Sequence, residues 1–182
     1  NGGIGWTIRG NNPYISSHYY YYPSERLTIR RNVSNYNGIA GLETLFTRNM
    51  LVEDNETSYN NWRGEWGGLT AGWTGSRFYR MHDGIVRRHR SVGNFARGLW
   101  FDFDNANVLL EDSYLCNNVD GLKFEVNQGP FLVRNCKISN NSALGLYVRV
   151  AGDLRVENCE ITGNGATQID LTDDMSHYIG NN

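Results

Sequence analysis

Three carboxylates lie in two stretches of alternating apolar and polar residues, one beginning at Gly98 and the other, 23 residues later, at Gly121. The first stretch contains Asp102 and Asp104, and the second contains Glu125. If the stretches are neighbouring strands, Asp102 and Glu125 are about 5 Å apart. Two carboxylates can divide the roles of acid and base in glycoside hydrolysis, at ~5–5.5 Å for retention and ~6.5–9.5 Å for inversion. The three acids are therefore candidate catalytic residues.

Four further side chains share the expected outward face with these acids and are candidate substrate-binding residues: Trp100, Lys123, Tyr147 and Arg149. The apolar faces of sugars stack on aromatic rings, while sugar hydroxyls meet charged groups. A polysaccharide lyase would use Lys123 or Arg149 as a base beside a substrate carboxylate. This mixture of side chains favours a glycan ligand.

Two other interpretations of the acids stay open. Glu125 can pair with Arg149, and Asp102 can be a solvated surface acid. Asp102, Asp104 and Glu125 also offer the oxygen ligands that Ca²⁺ prefers, although no DxDxDG loop is present. Ca²⁺ is therefore a possible cofactor, and otherwise the cofactor is unknown.

The elements that position these residues follow from an internal repeat. An apolar residue, here called the anchor, recurs about every 23 residues, with one longer interval: Ile29, Val52, Val86, Leu110, Val133 and Val156. Eight residues after each anchor stands an asparagine: Asn37, Asn60, Asn94, Asn118, Asn141 and Asn164. One residue after each anchor the charge alternates in sign: Arg30, Glu53, Arg87, Glu111, Arg134 and Glu157. Stacked coils of short strands predict both columns, because asparagines then hydrogen-bond along the stack and opposite charges become neighbours.

A glycine opens the strand that follows the asparagine in most repeats, and the long repeat places this glycine at Gly68. That register puts Thr70 and Gly72 in the outward lanes and predicts insertions at about 61–67 and 73–83. The insertions contain further candidate substrate-binding residues, since insertions in repeat proteins often carry the binding face: Glu65, Trp66 and Trp73.

One inward lane carries a histidine and two cysteines. His89, Cys136 and Cys159 each lie three residues after an anchor. The lane predicts a structural, hydrogen-bonded histidine. It also predicts buried free thiols, because in-register parallel neighbours suit disulfide geometry poorly.

The units NVLLEDSYLCNNVDGLKFEV and FLVRNCKISNNSALGLYVRV resemble the repeats of right-handed parallel β-helix proteins, the pectate-lyase-like superfamily and related carbohydrate-active proteins. The stretch GLWFDFDN resembles a group of bacterial β-helix proteins that are assigned mostly to polysaccharide breakdown. The resemblance covers roughly residues 27–174. It implies an all-β solenoid of six to seven coils with about 23 residues each. Residues 1–26 are expected to form an N-terminal coil or end packing, and residues 175–182 a C-terminal tail.

Composition narrows the class of protein. The chain has 182 residues and a formal net charge of −2, from 17 basic and 19 acidic residues. Nucleic-acid and membrane-surface proteins need a basic face, and no stretch reaches the ~18 apolar residues of a membrane span. We therefore expect neither nucleic acid nor membrane as a partner.

Two functional hypotheses follow. The first is a secreted or cell-surface polysaccharide-active enzyme, a glycosidase or a lyase, with a glycan bound across the outward face. The alternative is a non-catalytic structural, adhesin or carbohydrate-binding β-helix segment of a longer protein or filament. Because open coil ends are unpaired strand edges, end-to-end self-association is a further possibility.

Overall fold

The computed structural model describes residues 3–10, 22–63, 74–172, 177–180 and 182, which contain strands and no helix. None of these residues forms a helix long and apolar enough to cross a membrane. The strands are β1 Trp6–Arg9, β2 Ser24–Glu25, β3 Thr28–Arg30, β4 Ala40–Arg48, β5 Leu51–Glu53, β6 Thr74–Arg87, β7 Arg90–Val92, β8 Arg97–Phe101, β9 Ala106–Glu111, β10 Tyr114–Cys116, β11 Asp120–Asn127, β12 Phe131–Arg134, β13 Lys137–Ser139, β14 Leu144–Ala151, β15 Leu154–Glu157, β16 Glu160–Thr162, β17 Thr167–Leu171 and β18 His177–Gly180.

The strands form three parallel sheets around a solenoid, and the third sheet is shorter than the other two. The glycine-opened sheet has the order β1-β4-β6-β8-β11-β14-β17. The anchor sheet has the order β3-β5-β6-β9-β12-β15-β18, and β6 is long enough to take part in both sheets. The short-strand sheet has the order β7-β10-β13-β16. The predicted stack of coils is confirmed, and strand pairing extends beyond residue 27 at one end and residue 174 at the other.

The anchors form one interior column, as predicted. Each is paired with the next in register, from Ile29 to Val156, and each is at most 7% exposed. A second column of stacked phenylalanines lies on the inner side of the glycine-opened sheet, with centroid distances of 5.3 Å from Phe78 to Phe101 and 5.0 Å from Phe101 to Phe124. Burial of each such side chain stabilises the fold by roughly 1.5–3 kcal/mol.

The predicted asparagine column is also confirmed. In its centre, the Asn94 side-chain oxygen accepts a hydrogen bond from the Asn60 amide at 2.8 Å. The Asn118 side-chain oxygen accepts from both the backbone and the side chain of Asn94, each at 2.9 Å. Because these groups are buried, the column supplies partners that the turn backbone could not obtain from water.

The alternating charge column is confirmed as an outward ladder on the anchor sheet. The Glu53 carboxylate accepts hydrogen bonds from Arg30 at 2.7 Å and from Arg87 at 2.9 Å, and Arg134 donates to Glu111 at 2.6 Å. The arginine hydrogen bonds, that of Arg87 first, lower the pKa of Glu53. Unlike charges thus alternate along the ladder, which a parallel stack favours.

The placement of the opening glycine in the long coil was wrong. Gly75, and not Gly68, lies in register with the other opening glycines, because Ala40 pairs with Thr74 and Thr74 pairs with Arg97. The position requires glycine, since a Cβ there would lie 2.2 Å from the Ser91 hydroxyl and 2.5 Å from the Gly98 carbonyl oxygen.

The insertion therefore precedes the strand. Residues 74–83, predicted to belong to a second insertion, lie within β6, so the extra residues of the long coil all come between the asparagine column and β6. Gly68, Thr70 and Gly72 lie outside the described residues.

The polar interior lane is confirmed as structural. His89 is completely buried, and its Nε2 lies 3.0 Å from the Thr57 hydroxyl and 3.1 Å from the Ser76 hydroxyl. Burial lowers the pKa of His89 to about 4. Cys136 and Cys159 are buried free thiols, and the Cys136 amide donates to the Cys159 sulfur at 3.4 Å.

Candidate functional site

The outward face of the glycine-opened sheet presents one lane of mixed chemistry. Its members are paired in register across six coils: Glu43, Arg77, Trp100, Lys123, Tyr147 and Asp170. Trp100, Lys123 and Tyr147 were predicted to share this face, but Arg77 occupies the place that was assigned to Thr70. Sequence reasoning missed Arg77 because the opening glycine of its coil was misplaced.

A local irregularity moves Asp102 and Asp104 out of the predicted lanes. Phe101 is in register with Phe124, and the side chain of Asn127 accepts hydrogen bonds from Asn105, yet three residues separate Phe101 from Asn105 and only two separate Phe124 from Asn127. The extra residue ends β8 at Phe101 and places Asp104 in a left-handed turn with φ of 60°. Strand geometry therefore does not fix the spacing of the three acids.

Asp102 is held by the coil that precedes it. The Arg77 guanidinium donates through Nε to the Asp102 carboxylate at 2.9 Å and through its NH1 group to Glu43 at 3.0 Å. Its second terminal nitrogen also contacts Asp102. Arg77 thus joins two carboxylates from two other coils.

Glu125 is held by a lysine and an arginine. Lys123 Nζ donates to one of its oxygens at 2.7 Å, and Arg149 donates to the other at 3.2 Å. The pairing of Glu125 with Arg149 is the alternative that the sequence left open. Asp102 and Glu125 therefore each meet cations, which differs from the carboxylate pair that a retaining glycosidase requires.

Trp100 lies beneath a group of cations. Its side chain is 3% exposed, and the charged groups of Arg97, Lys123 and Arg77 lie 4.7, 4.8 and 5.2 Å from its ring. Its buried Nε1 has no hydrogen-bond partner. The ring therefore stabilises nearby positive charge by cation–π attraction and offers no open face to a sugar.

Lys123 is the most confined cation of this face. It is 5% exposed, and Nζ lies over the ring of Tyr147 at 5.1 Å as well as over Trp100. Burial lowers the pKa of Lys123, while its hydrogen bond to Glu125 acts in the opposite direction. Arg149, in contrast, is 59% exposed and forms the open edge of the cluster.

Asp104 belongs to a separate group at the end of the strand. Its carboxylate lies 3.3 Å from Arg80 Nε, and its carbonyl oxygen lies 2.8 Å from His82 Nε2. The Arg80 guanidinium lies over the rings of Phe46 at 4.8 Å and Phe103 at 5.1 Å. Arg80 was also missed by the sequence analysis, for the same reason as Arg77.

The remaining predictions for this face have mixed outcomes. Glu65, Trp66 and Trp73 lie outside the described residues. Within the part of the chain that the structure describes, no three His, Cys, Asp or Glu side chains are placed to hold a metal ion. Asp102, Asp104 and Glu125 are thus not brought together as a group of three metal ligands.

Stacked coils with three parallel sheets define a parallel β-helix protein. A family model described as a right-handed β-helix region matches residues 1–142 and again 126–182, so the chain belongs to this family. The predicted family and handedness are thus confirmed. A search of curated proteins found no match.

Two solved structures share this fold. The A-module of mannuronan C-5 epimerase AlgE4 from Azotobacter vinelandii is 21% identical, with a TM-score of 0.68 over 78% of this chain. A mutant of the periplasmic alginate epimerase AlgG is 15% identical, with a TM-score of 0.79 over the whole chain. The matched regions are 37% and 42% of those two chains, respectively.

Proposed function

We propose that this β-helix modifies an acidic polysaccharide bound along the outward face of the glycine-opened sheet. The observation that carries the proposal is the cluster of Lys123, Glu125, Tyr147 and Arg149, in which a confined amine lies beside an exposed guanidinium. The names of the two structural neighbours agree with this class of ligand, because mannuronan and alginate are polymers of uronic acids.

The reaction that suits the cluster begins with removal of a proton. The C-5 hydrogen of a uronic acid is adjacent to a carboxylate, so its removal needs a base and a cation that stabilises the developing negative charge. Lys123 is the candidate base, because a lowered amine pKa brings the neutral form closer to working pH. Arg149 is the candidate carboxylate ligand, since a guanidinium can bind a carboxylate through two hydrogen bonds.

Two outcomes are possible after the proton leaves. Cleavage of the bond between C-4 and the glycosidic oxygen gives a lyase product, and return of a proton to the opposite face of C-5 gives an epimer. A glycosidase has less support, because Asp102 and Glu125 are each paired with cations of the protein. A periplasmic, secreted or cell-surface location would bring the protein to such polymers.

Loss of the C-5 proton tests this proposal, and each product has its own readout. The protein is incubated with polymannuronate or polygalacturonate in D₂O, and NMR measures deuterium at C-5 for an epimer and the C-4–C-5 double bond for a lyase product. Lys123→Met should abolish both signals. Lys137→Met is the matched control, because Lys137 lies on the short-strand sheet, where it pairs with Glu160 at 2.8 Å. Arg149→Gln should raise KM far more than it lowers kcat.

A non-catalytic glycan-binding protein is the second candidate. The near-complete burial of Lys123 and Trp100 favours it, because these side chains also fit a structural role. In that case Arg149→Gln weakens binding of the acidic polymer, and no exchange occurs with the wild type. Exchange that survives Lys123→Met would contradict the assignment of the base.

A further inference from the structure

One turn position carries two tyrosines where the other coils have glycine or asparagine. The residue seven after each anchor has a positive φ in every coil, between 55° and 67°: Tyr36, Tyr59, Gly93, Asn117, Asn140 and Gly163. Glycine and asparagine adopt this left-handed conformation readily, whereas a bulky side chain is strained in it. The two tyrosines therefore destabilise their turns relative to the residues of the other four coils.

Burial does not compensate for this strain. Tyr36 is 63% exposed and Tyr59 is 40% exposed. Their rings stack on each other, with centroids 5.1 Å apart and an interplanar angle of 10°. A Cβ at Gly93 would lie 2.6 Å from the Tyr59 ring, so glycine in the third coil leaves room for that ring to lie flat. Other exposed residues, such as Val126 and Val150, share this conformation, but the two tyrosines differ from them because their exposed rings form a stacked pair.

Two more exposed aromatic side chains extend this surface. Trp62 is 50% exposed and donates from Nε1 to the Tyr36 carbonyl oxygen at 3.1 Å. Phe95 is 62% exposed, and its amide donates to the Asn60 carbonyl oxygen at 3.0 Å. We call Tyr36, Tyr59, Trp62 and Phe95 the aromatic corner, because they lie where the chain turns into the glycine-opened sheet.

We propose that the aromatic corner is a second glycan contact, on which sugar rings of the bound polymer pack. This inference rests on the proposed function for the nature of the polymer. Flat exposed rings suit the apolar faces of sugars, and the side chains of Asn35 and Glu56, which are joined at 2.9 Å, offer polar partners for hydroxyls. Trp62 and Phe95 widen the aromatic surface.

The position of the aromatic corner favours a glycan over other occupants. The turn that carries Tyr36 leads into β4, and the turn that carries Tyr59 precedes the insertion and then β6; both strands belong to the sheet whose outward face is the proposed binding face. From the coil of Tyr59 to that of Lys123 is two coil spacings, about 10 Å along the solenoid. Across the coil, the turn position precedes the position of Lys123 by six residues, about 20 Å of extended chain. A long polymer that crosses the coils obliquely can therefore contact both places, whereas a very short oligosaccharide cannot. The aromatic corner should strengthen binding of long chains and leave kcat unchanged.

A double variant separates this role from a structural one. Tyr36→Asn with Tyr59→Asn installs the residue that Asn117 and Asn140 supply at the same turn. The urea midpoint should be unchanged or higher, because asparagine relieves the strain. The affinity for long polymannuronate, measured by calorimetry, should fall about tenfold or more, while that for a disaccharide should not change. Tyr114→Asn is the control, since its ring lies on the short-strand sheet beneath Arg90.

The outcomes distinguish this inference from the proposed function. A double variant that is less stable yet binds the long polymer as the wild type does would assign the tyrosines to the scaffold and overturn the inference. Equal stability with equal binding, or a wild type that binds no glycan at all, would also overturn it. A third outcome would support the aromatic corner and refute the proposed reaction. In that outcome the wild type binds neutral mannan as well as polymannuronate, the double variant binds both more weakly, and no C-5 exchange occurs.

Discussion

Acidification should destabilise this protein through the interior histidine His89. His89 is completely buried among hydroxyl groups, and its Nδ1 has no hydrogen-bond partner. Burial disfavours the charged imidazolium and lowers the pKa of His89 from 6.5 to about 4. The unfolded chain therefore binds a proton between these two values that the folded chain does not. The stabilisation is fully present above pH 6.5 and is lost as the pH falls toward 4.

The size of the loss follows from the two pKa values. The whole shift corresponds to about 3 kcal/mol, and linkage gives a loss of about 2 kcal/mol between neutral pH and pH 5. His89→Asn removes the titrating group and installs the residue found in the same lane at Asn32 and Asn55. Between pH 7.5 and 5 the variant should lose stability only through titratable groups other than residue 89. The free energies of unfolding of the wild type and the variant should therefore converge as the pH falls from 7.5 to 5.

Urea unfolding at several pH values measures the difference. The free energy of unfolding is determined for the wild type, for His89→Asn and for His82→Asn. His82 is the control for the loss of a histidine outside the interior, because its side chain is 27% exposed. Parallel curves for the wild type and His89→Asn between pH 6.5 and 5 would refute the view that His89 is folded in its neutral form.

Two further predictions concern the columns of the solenoid. Asn94→Ala should cost about 3 kcal/mol or more, because the Asn60 amide loses its buried acceptor and the Thr57 carbonyl oxygen and Asn118 side chain lose a donor. Asn117→Gly, at an exposed turn, should change the free energy of urea unfolding by less than about 0.5 kcal/mol. Arg87→Glu should place three acids in a row and lower the urea midpoint. The decrease in the midpoint should be smaller at high salt, and a decrease that salt does not change would contradict the electrostatic origin of the ladder.

The columns could be predicted from the sequence because each repeats one residue type, or one alternation of charge, at a fixed offset from the anchor. The opening glycine of the long coil could not be chosen by counting forward, since the insertion removes the fixed offset. Counting backward would have found it. Gly41, Gly75 and Gly145 all lie 11 residues before the following anchor, and Gly68 lies 18 before it.

The arrangement of the candidate site was harder to predict because it depends on departures from the repeat. The extra residue after Phe101 left one signal, the 22-residue spacing of Asn105 and Asn127, which form a second short asparagine ladder. The burial of Trp100 left no signal in the sequence. It depends on the guanidinium groups of Arg77 and Arg97, which the predicted register did not bring to the ring.

The same departures lie at the two places where we propose that a glycan binds. On the anchor sheet, the lane after the anchors alternates in sign from coil to coil, so ion pairing along the stack accounts for its charges. On the glycine-opened sheet, the lane of Lys123 repeats neither a residue type nor an alternation of charge. Burial of its amine, whose pKa is lowered, costs free energy that burial of a methionine or leucine side chain would not cost. Tyr36 and Tyr59 likewise depart from the glycine and asparagine of their turn position. Here the cost is backbone strain and not the desolvation of a charge. Both departures carry aromatic rings near polar groups. A polymer bound along neighbouring coils, as we propose, would account for both departures, and the variants of Lys123 and of the two tyrosines distinguish this explanation from a structural one.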